Sequence, residues 1–131
     1  MGKSGSYVLY GVSERDKIIS DIVDSLGAED SCFDLRLILT EGLTNAYKHG
    51  NEENPELPIY LRYFYEPEIV TFEIEDSGTA CGEIKIIEEI SSENLLEDSG
   101  RGLFLIKCYC DEVKMINNIL IMQKHLYKSA V

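Results

Sequence analysis

No stretch of this sequence approaches the roughly 20 consecutive apolar residues that a bilayer span needs. The opening Met1-Gly2-Lys3-Ser4-Gly5-Ser6 is polar, with no apolar signal core behind it. The expectation is a cytoplasmic protein without a membrane partner. Basic residues are also scarce, 12 Lys plus Arg against 24 Asp plus Glu, for a net charge of -12. A surface this acidic repels a phosphate backbone, which argues against direct nucleic-acid binding and suits a protein partner or a metal-escorted nucleotide better. The four cysteines, Cys32, Cys81, Cys108 and Cys110, lack the C-x-x-C spacing of a zinc site and read as reduced structural thiols. Internal repeats are missing. Met1-Gly2 with Ser6 fits the bare N-myristoylation pattern, a match short enough to arise by chance.

What is present is ordinary globular composition, 44% hydrophobic and 27% charged, in 131 residues, enough for one domain over 1–131 to bury a core without disulfides. Alternation predicts a strand over Ser6 to Val12. Ser13 is placed to cap a first helix, with Asp16 three residues on, and Ile18, Ile19, Ile22, Val23 and Leu26 recur at helical spacing until Gly27. A second helix is expected from about Ser31 to His49, ending at Gly50-Asn51. Two strands, Ile59 to Tyr65 and Ile69 to Glu75, flank the turn Glu66-Pro67-Glu68. Residues 77–99, rich in Ser, Gly, Glu and Asp, read as a mobile lid with a weakly helical stretch around Ile84 to Ile90. Gly100 to Cys110 reads as a helix, and Glu112 to Ile116 pairs with Ile119 to Lys124 across Asn117-Asn118. This order predicts an α+β fold, a two-layer sandwich of a mixed β-sheet with helices packed on one face.

Three motifs carry chemistry. On the second helix Glu41, Asn45 and His49 recur every fourth residue, so a carboxylate, an amide and an imidazole share one face. Taken alone, this reads as an exposed hydrophilic face. Glu75-Asp76-Ser77-Gly78 ends an apolar strand, where a carboxylate can accept a hydrogen bond from an exocyclic amine and a glycine admits a flat ligand. Alone, it is a common Asp-Ser-Gly turn. Ser99-Gly100-Arg101-Gly102-Leu103-Phe104-Leu105-Ile106 sets two glycines and a cation at a helix start, where free N–H groups favour phosphate oxygens. Such a start also arises for steric reasons alone.

Their joint occurrence in this order resembles the three nucleotide-binding boxes of the GHKL ATPases, over nearly the whole chain. The wording Glu41-Gly42-Leu43-Thr44-Asn45-Ala46 and Gly102-Leu103-Phe104-Leu105-Ile106-Lys107 is most similar to the serine kinases that act as anti-sigma factors. The resemblance implies ATP and Mg²⁺ as cofactors, with Asn45 the metal ligand and Glu41 the catalytic base for the attacking serine hydroxyl. It further implies Asp76 on the adenine amine and Gly78 under the base, with Gly100, Arg101 and Gly102 around the phosphates and Leu103 in the same cofactor-binding set. Lys48 and His49 would either reach a phosphate or cap the helix C-terminus, where cations are favoured anyway. Ala80 stands where the family pattern has a second glycine, and Gly82 follows two residues later, which leaves the lid hinge open. The implied partners are an anti-anti-sigma protein of STAS type, a sigma factor and a second copy in a homodimer. A non-catalytic module, in which ATP only sets partner affinity, is the alternative. Retention of both Glu41 and Asn45 favours the enzyme.

Overall fold

The computed structural model describes residues 2–27, 29–78, 84–86 and 98–126. In chain order its elements are β1 (Lys3–Tyr10), α1 (Arg15–Leu26), α2 (Cys32–Asn45), β2 (Pro58–Glu66), β3 (Ile69–Glu75), β4 (Ile84–Ile86), α3 (Asp98–Tyr109), β5 (Glu112–Ile116) and β6 (Ile119–His125). The strands form one sheet in the order β1-β2-β3-β6-β5-β4.

Period-two alternation builds the inner face. Ile59, Leu61 and Tyr63 of β2 are buried, as are Val70, Phe72 and Ile74 of β3 and Leu120 and Met122 of β6. Pairing sets them side by side: Leu61 faces Ile74 and Ile74 faces Leu120, while Tyr63 faces Phe72 and Phe72 faces Met122. The helices cover this face with Ile18, Ile19, Ile22, Val23 and Leu26 from α1 and Leu35, Ile38, Leu39 and Leu43 from α2, in one core cluster. At Gly42 the second helix comes so close that an added Cβ would lie 2.7 Å from Ile74 Cδ1. Seating α2 this deep turns its polar stripe sideways, toward α3.

The two-layer α+β expectation holds, with one correction: every strand pair among the described residues is antiparallel, so the sheet is not mixed. The hairpins β2-β3 and β5-β6 fix two of these pairings, and joining β3 to β6 keeps the alternation. The first strand begins earlier than expected, at Lys3, and ends at Tyr10. Lys3 and Ser4 are drawn into the sheet opposite Tyr65 and Phe64, and the positive φ of Gly11 ends the run. Ser13 does not cap α1; Glu14 holds the cap position without a side-chain bond, after a turn closed from Arg15 N–H to the Val12 carbonyl. Ile84–Ile86 is a strand rather than part of a weak helix, because the edge of β5 offers backbone partners to it. The rest of the expected lid, 79–83 and 87–97 with Ala80, Cys81 and Gly82, lies outside the described residues.

The second helix does not run as α-helix to His49. It changes after Asn45 into a π-helical turn, Ala46–Gly50, closed by Asn51 N–H on the Ala46 carbonyl at 2.8 Å. Such turns occur mostly as single insertions, frequently at functional sites.

Candidate functional site

Glu41, Asn45, Lys48 and His49 of the second helix line a cleft of about 330 Å³ together with Thr44, Gly102 and Leu105. That volume is within the range of small-ligand sites. The far wall is α3: a Cβ on Gly102 would stand 3.0 Å from Glu41 Oε2, so only a glycine leaves the carboxylate in place without adjustment. Thr44 and Leu105 were not singled out from the sequence. Both follow from helical spacing, since Thr44 is three residues after Glu41 and Leu105 three after Gly102. Arg15, at the start of α1, donates to Thr44 Oγ1 at 2.6 Å and braces this end of the cleft. No sequence signal connects two residues 29 apart.

The second motif takes part differently. Gly78 lines a neighbouring cleft of about 340 Å³ with Gly50, Asn51, Glu52, Asn54, Leu57 and Ser77. Asp76 lines neither cleft. Its half-buried carboxylate lies against Gly50, where an added Cβ would fall 2.0 Å from Oδ2, and its Oδ1 accepts the Gly78 N–H at 2.8 Å. Burial raises the Asp76 carboxyl above the ordinary range; the Gly78 N–H opposes this, and the charge of Glu75 adds to it. The Asp76 N–H donates to the Asn118 carbonyl at 3.1 Å, and the Asn118 amide donates back to the Asp76 carbonyl. The residue is thus held from both sides of the chain.

Gly100, Arg101, Gly102 and Leu103 all fall within α3, in the half nearer its N-terminus. The Leu103 side chain is partly buried and packs against the core. Away from the cleft, burial pushes the Cys110 thiol up to about 12 despite nearby Lys124, which suits a structural thiol. Lys124 is itself buried and donates to the Tyr109 carbonyl at 2.7 Å while pairing with Asp34 at 3.3 Å. Among the described residues no three His, Cys, Asp or Glu side chains form a cation cage. Nor is any helix among them long and apolar enough to cross a membrane.

A helix thus presents a carboxylate and an amide to a glycine-containing second helix, next to a strand end with a half-buried carboxylate. The family model of the histidine kinase-like ATPase domain matches residues 15–124, and the chain belongs to that family. ATP is therefore the ligand class of this domain. The chain is also similar to the anti-sigma F factor of Halalkalibacterium halodurans, 26% identical over 107 residues, which span 76% of this chain and 73% of that protein. The anti-sigma F factor of Bacillus subtilis is 27% identical over 107 residues, with the same coverage of 76% and 73%. That of Bacillus cytotoxicus is 30% identical over 87 residues, 65% of this chain and 60% of that protein.

Proposed function

We propose that this chain is a Mg²⁺-ATP-dependent serine kinase that phosphorylates an anti-anti-sigma partner of STAS type and, in its other state, holds a sigma factor inactive in the cytoplasm. The observation that supports this most is the meeting of Glu41, Asn45 and Gly102 in one cleft. A module that only binds nucleotide has no use for a carboxylate there. The relatives bear the name anti-sigma F factor, which supports a sigma factor as one of the partners. The chemistry is a group transfer. The serine Oγ attacks the γ-phosphorus, its proton passes to Glu41, and the bond from that phosphorus to the bridging oxygen breaks to release ADP.

Asn45 would hold Mg²⁺ through its amide oxygen, and the ion, a hard cation suited to oxygen donors, would offset the negative charge of the phosphates. Lys48 and His49 line the same end and offer N–H donors to the phosphates, Gly78 on the neighbouring cleft lies under the adenine with the Asp76 carboxylate beside it, and the first turns of α3 serve the phosphate tail. The outer face of the sheet exposes Val8, Tyr10, Tyr60 and Phe64, and this apolar surface is proposed as the homodimer contact. Phe64→Glu is expected to convert a dimer to a monomer in sedimentation; an unchanged mass would remove this contact.

Incubation with labelled ATP and STAS-domain partners from the same genome tests the main reading. Transfer of label to a serine is the expected result. Partner binding that responds to ATP without any transfer would favour the non-catalytic module instead.

A further inference from the structure

Three polar side chains are buried among the described residues, Ser31, Asn51 and Lys124, and only Asn51 also lines a cleft. It is 1% exposed and its amide is fully used. Nδ2 donates to the Leu57 carbonyl at 3.1 Å and the Pro58 carbonyl at 3.3 Å, while Oδ1 accepts the Ser77 N–H at 2.7 Å. The Asn51 backbone N–H closes the π-helical turn on Ala46. Ser77 Oγ adds a bond of 2.7 Å to the Pro58 carbonyl. One residue thus joins the end of the second helix, the start of β2 and the end of β3.

The location of these bonds matters more than their number. Asn51 directly follows Lys48, His49 and Gly50, and Ser77 lies between Asp76 and Gly78. The Asp76 carboxylate can lie against Gly50 only if these two segments are held close, and the Asn51 bond to Ser77 ties them directly. We propose that Asn51 is a positioning residue for the nucleotide base: it fixes the Asp76-Ser77-Gly78 turn at a set distance from the side chains at the phosphate end. Removing the amide leaves the Ser77 N–H and the Leu57 and Pro58 carbonyls short of a partner, and the turn has reason to shift. This inference rests on Asp76 being the adenine contact.

The test is calorimetric binding of ATP and of GTP, with Mg²⁺, to the wild type, Asn51→Ala and Ser77→Ala, alongside their melting temperatures. Wild-type protein is expected to prefer ATP. In Asn51→Ala the ATP affinity should fall by about tenfold, with GTP affinity within about twofold, so that base preference narrows. A lower melting temperature with an intact ATP-to-GTP ratio would show a purely structural asparagine and overturn the proposal. If Asn51→Ala does not fold, Ser77→Ala decides. It deletes only the hydroxyl bond to Pro58 and keeps the Asn51 bond to the Ser77 N–H, so a ratio within about twofold of wild type supports the proposal, while a narrowing of about tenfold would place the control in the hydroxyl and overturn it. A wild type without base preference would instead sink the adenine reading of Asp76, a failure distinct from that of Asn51.

Discussion

The two ends of the proposed nucleotide site are built by different means. At the phosphate end, side chains from one helix converge: Glu41, Thr44, Asn45, Lys48 and His49 share a face and look across at Gly102. At the base end, backbone carries the geometry. Asp76 is set by contact with Gly50, by N–H groups and carbonyls, and by the buried amide at the helix end. A helix tolerates many neighbours while keeping its spacing. A backbone junction depends on each of its partners, so substitutions should affect the two ends in different ways, chemistry at one and affinity at the other.

The sharpest test of that division is Glu41→Gln, which keeps size and hydrogen bonding but removes the basic oxygen. Phosphoryl transfer should fall by roughly 10²–10⁴ while ATP affinity stays within a few-fold. Transfer at the wild-type rate would remove Glu41 as the base. Next in size is Asp76→Ala, expected to weaken ATP by about 1.5–3 kcal/mol, or about ten- to hundredfold, with the fold intact. Calorimetry showing unchanged affinity would contradict the base-end assignment.

Gly50→Ala comes third. The added Cβ would fall 2.0 Å from Asp76 Oδ2, so the carboxylate or the helix end has to move. A drop of about tenfold in ATP affinity is expected, at a stability cost of about 1–3 kcal/mol. Full affinity in a folded Gly50→Ala protein would show that the close approach is dispensable.

The smallest effect concerns pH. Burial raises the Asp76 carboxyl in the folded chain. A carboxyl whose folded pKa exceeds its unfolded one adds stability below the unfolded value and loses it as pH rises through the folded one. Nucleotide-free Asp76→Asn should therefore melt slightly higher than wild type at neutral pH, with the gap closing as pH falls through the carboxylate range. A gap that widens on acidification would show that Asp76 is stabilised in its charged form.

The same contrast separates what is legible in the sequence from what is not. The helical stripe, the strand β3 and the hairpin β5-β6 follow from periodicity and turn chemistry; β3 and β5 have the expected bounds, β6 runs one residue further, and α2 stops at Asn45 where the π-helical turn begins. The layered α+β architecture agrees with expectation. Arg15 beneath Thr44, and Gly50 against Asp76, depend on how separate segments dock, and no local pattern records docking. Asn51 reads in sequence as a helix-stop residue, and its buried amide appears only once Leu57, Pro58 and Ser77 are brought around it. The short strand β4 was hidden for a related reason, since three residues gain their conformation from a neighbouring edge rather than from their own propensity.

Buried Lys124 bears on how α3 can move. Its ammonium holds the carbonyl of Tyr109, the last residue of that helix, and reaches Asp34 in the first turn of α2. Burial makes the tie costly to release, because an ammonium that loses both partners there has no water to replace them. The end of α3 is therefore anchored to β6 and to the start of α2 through one buried cation, so a shift of the helix near Gly102 is expected to be smallest at Tyr109.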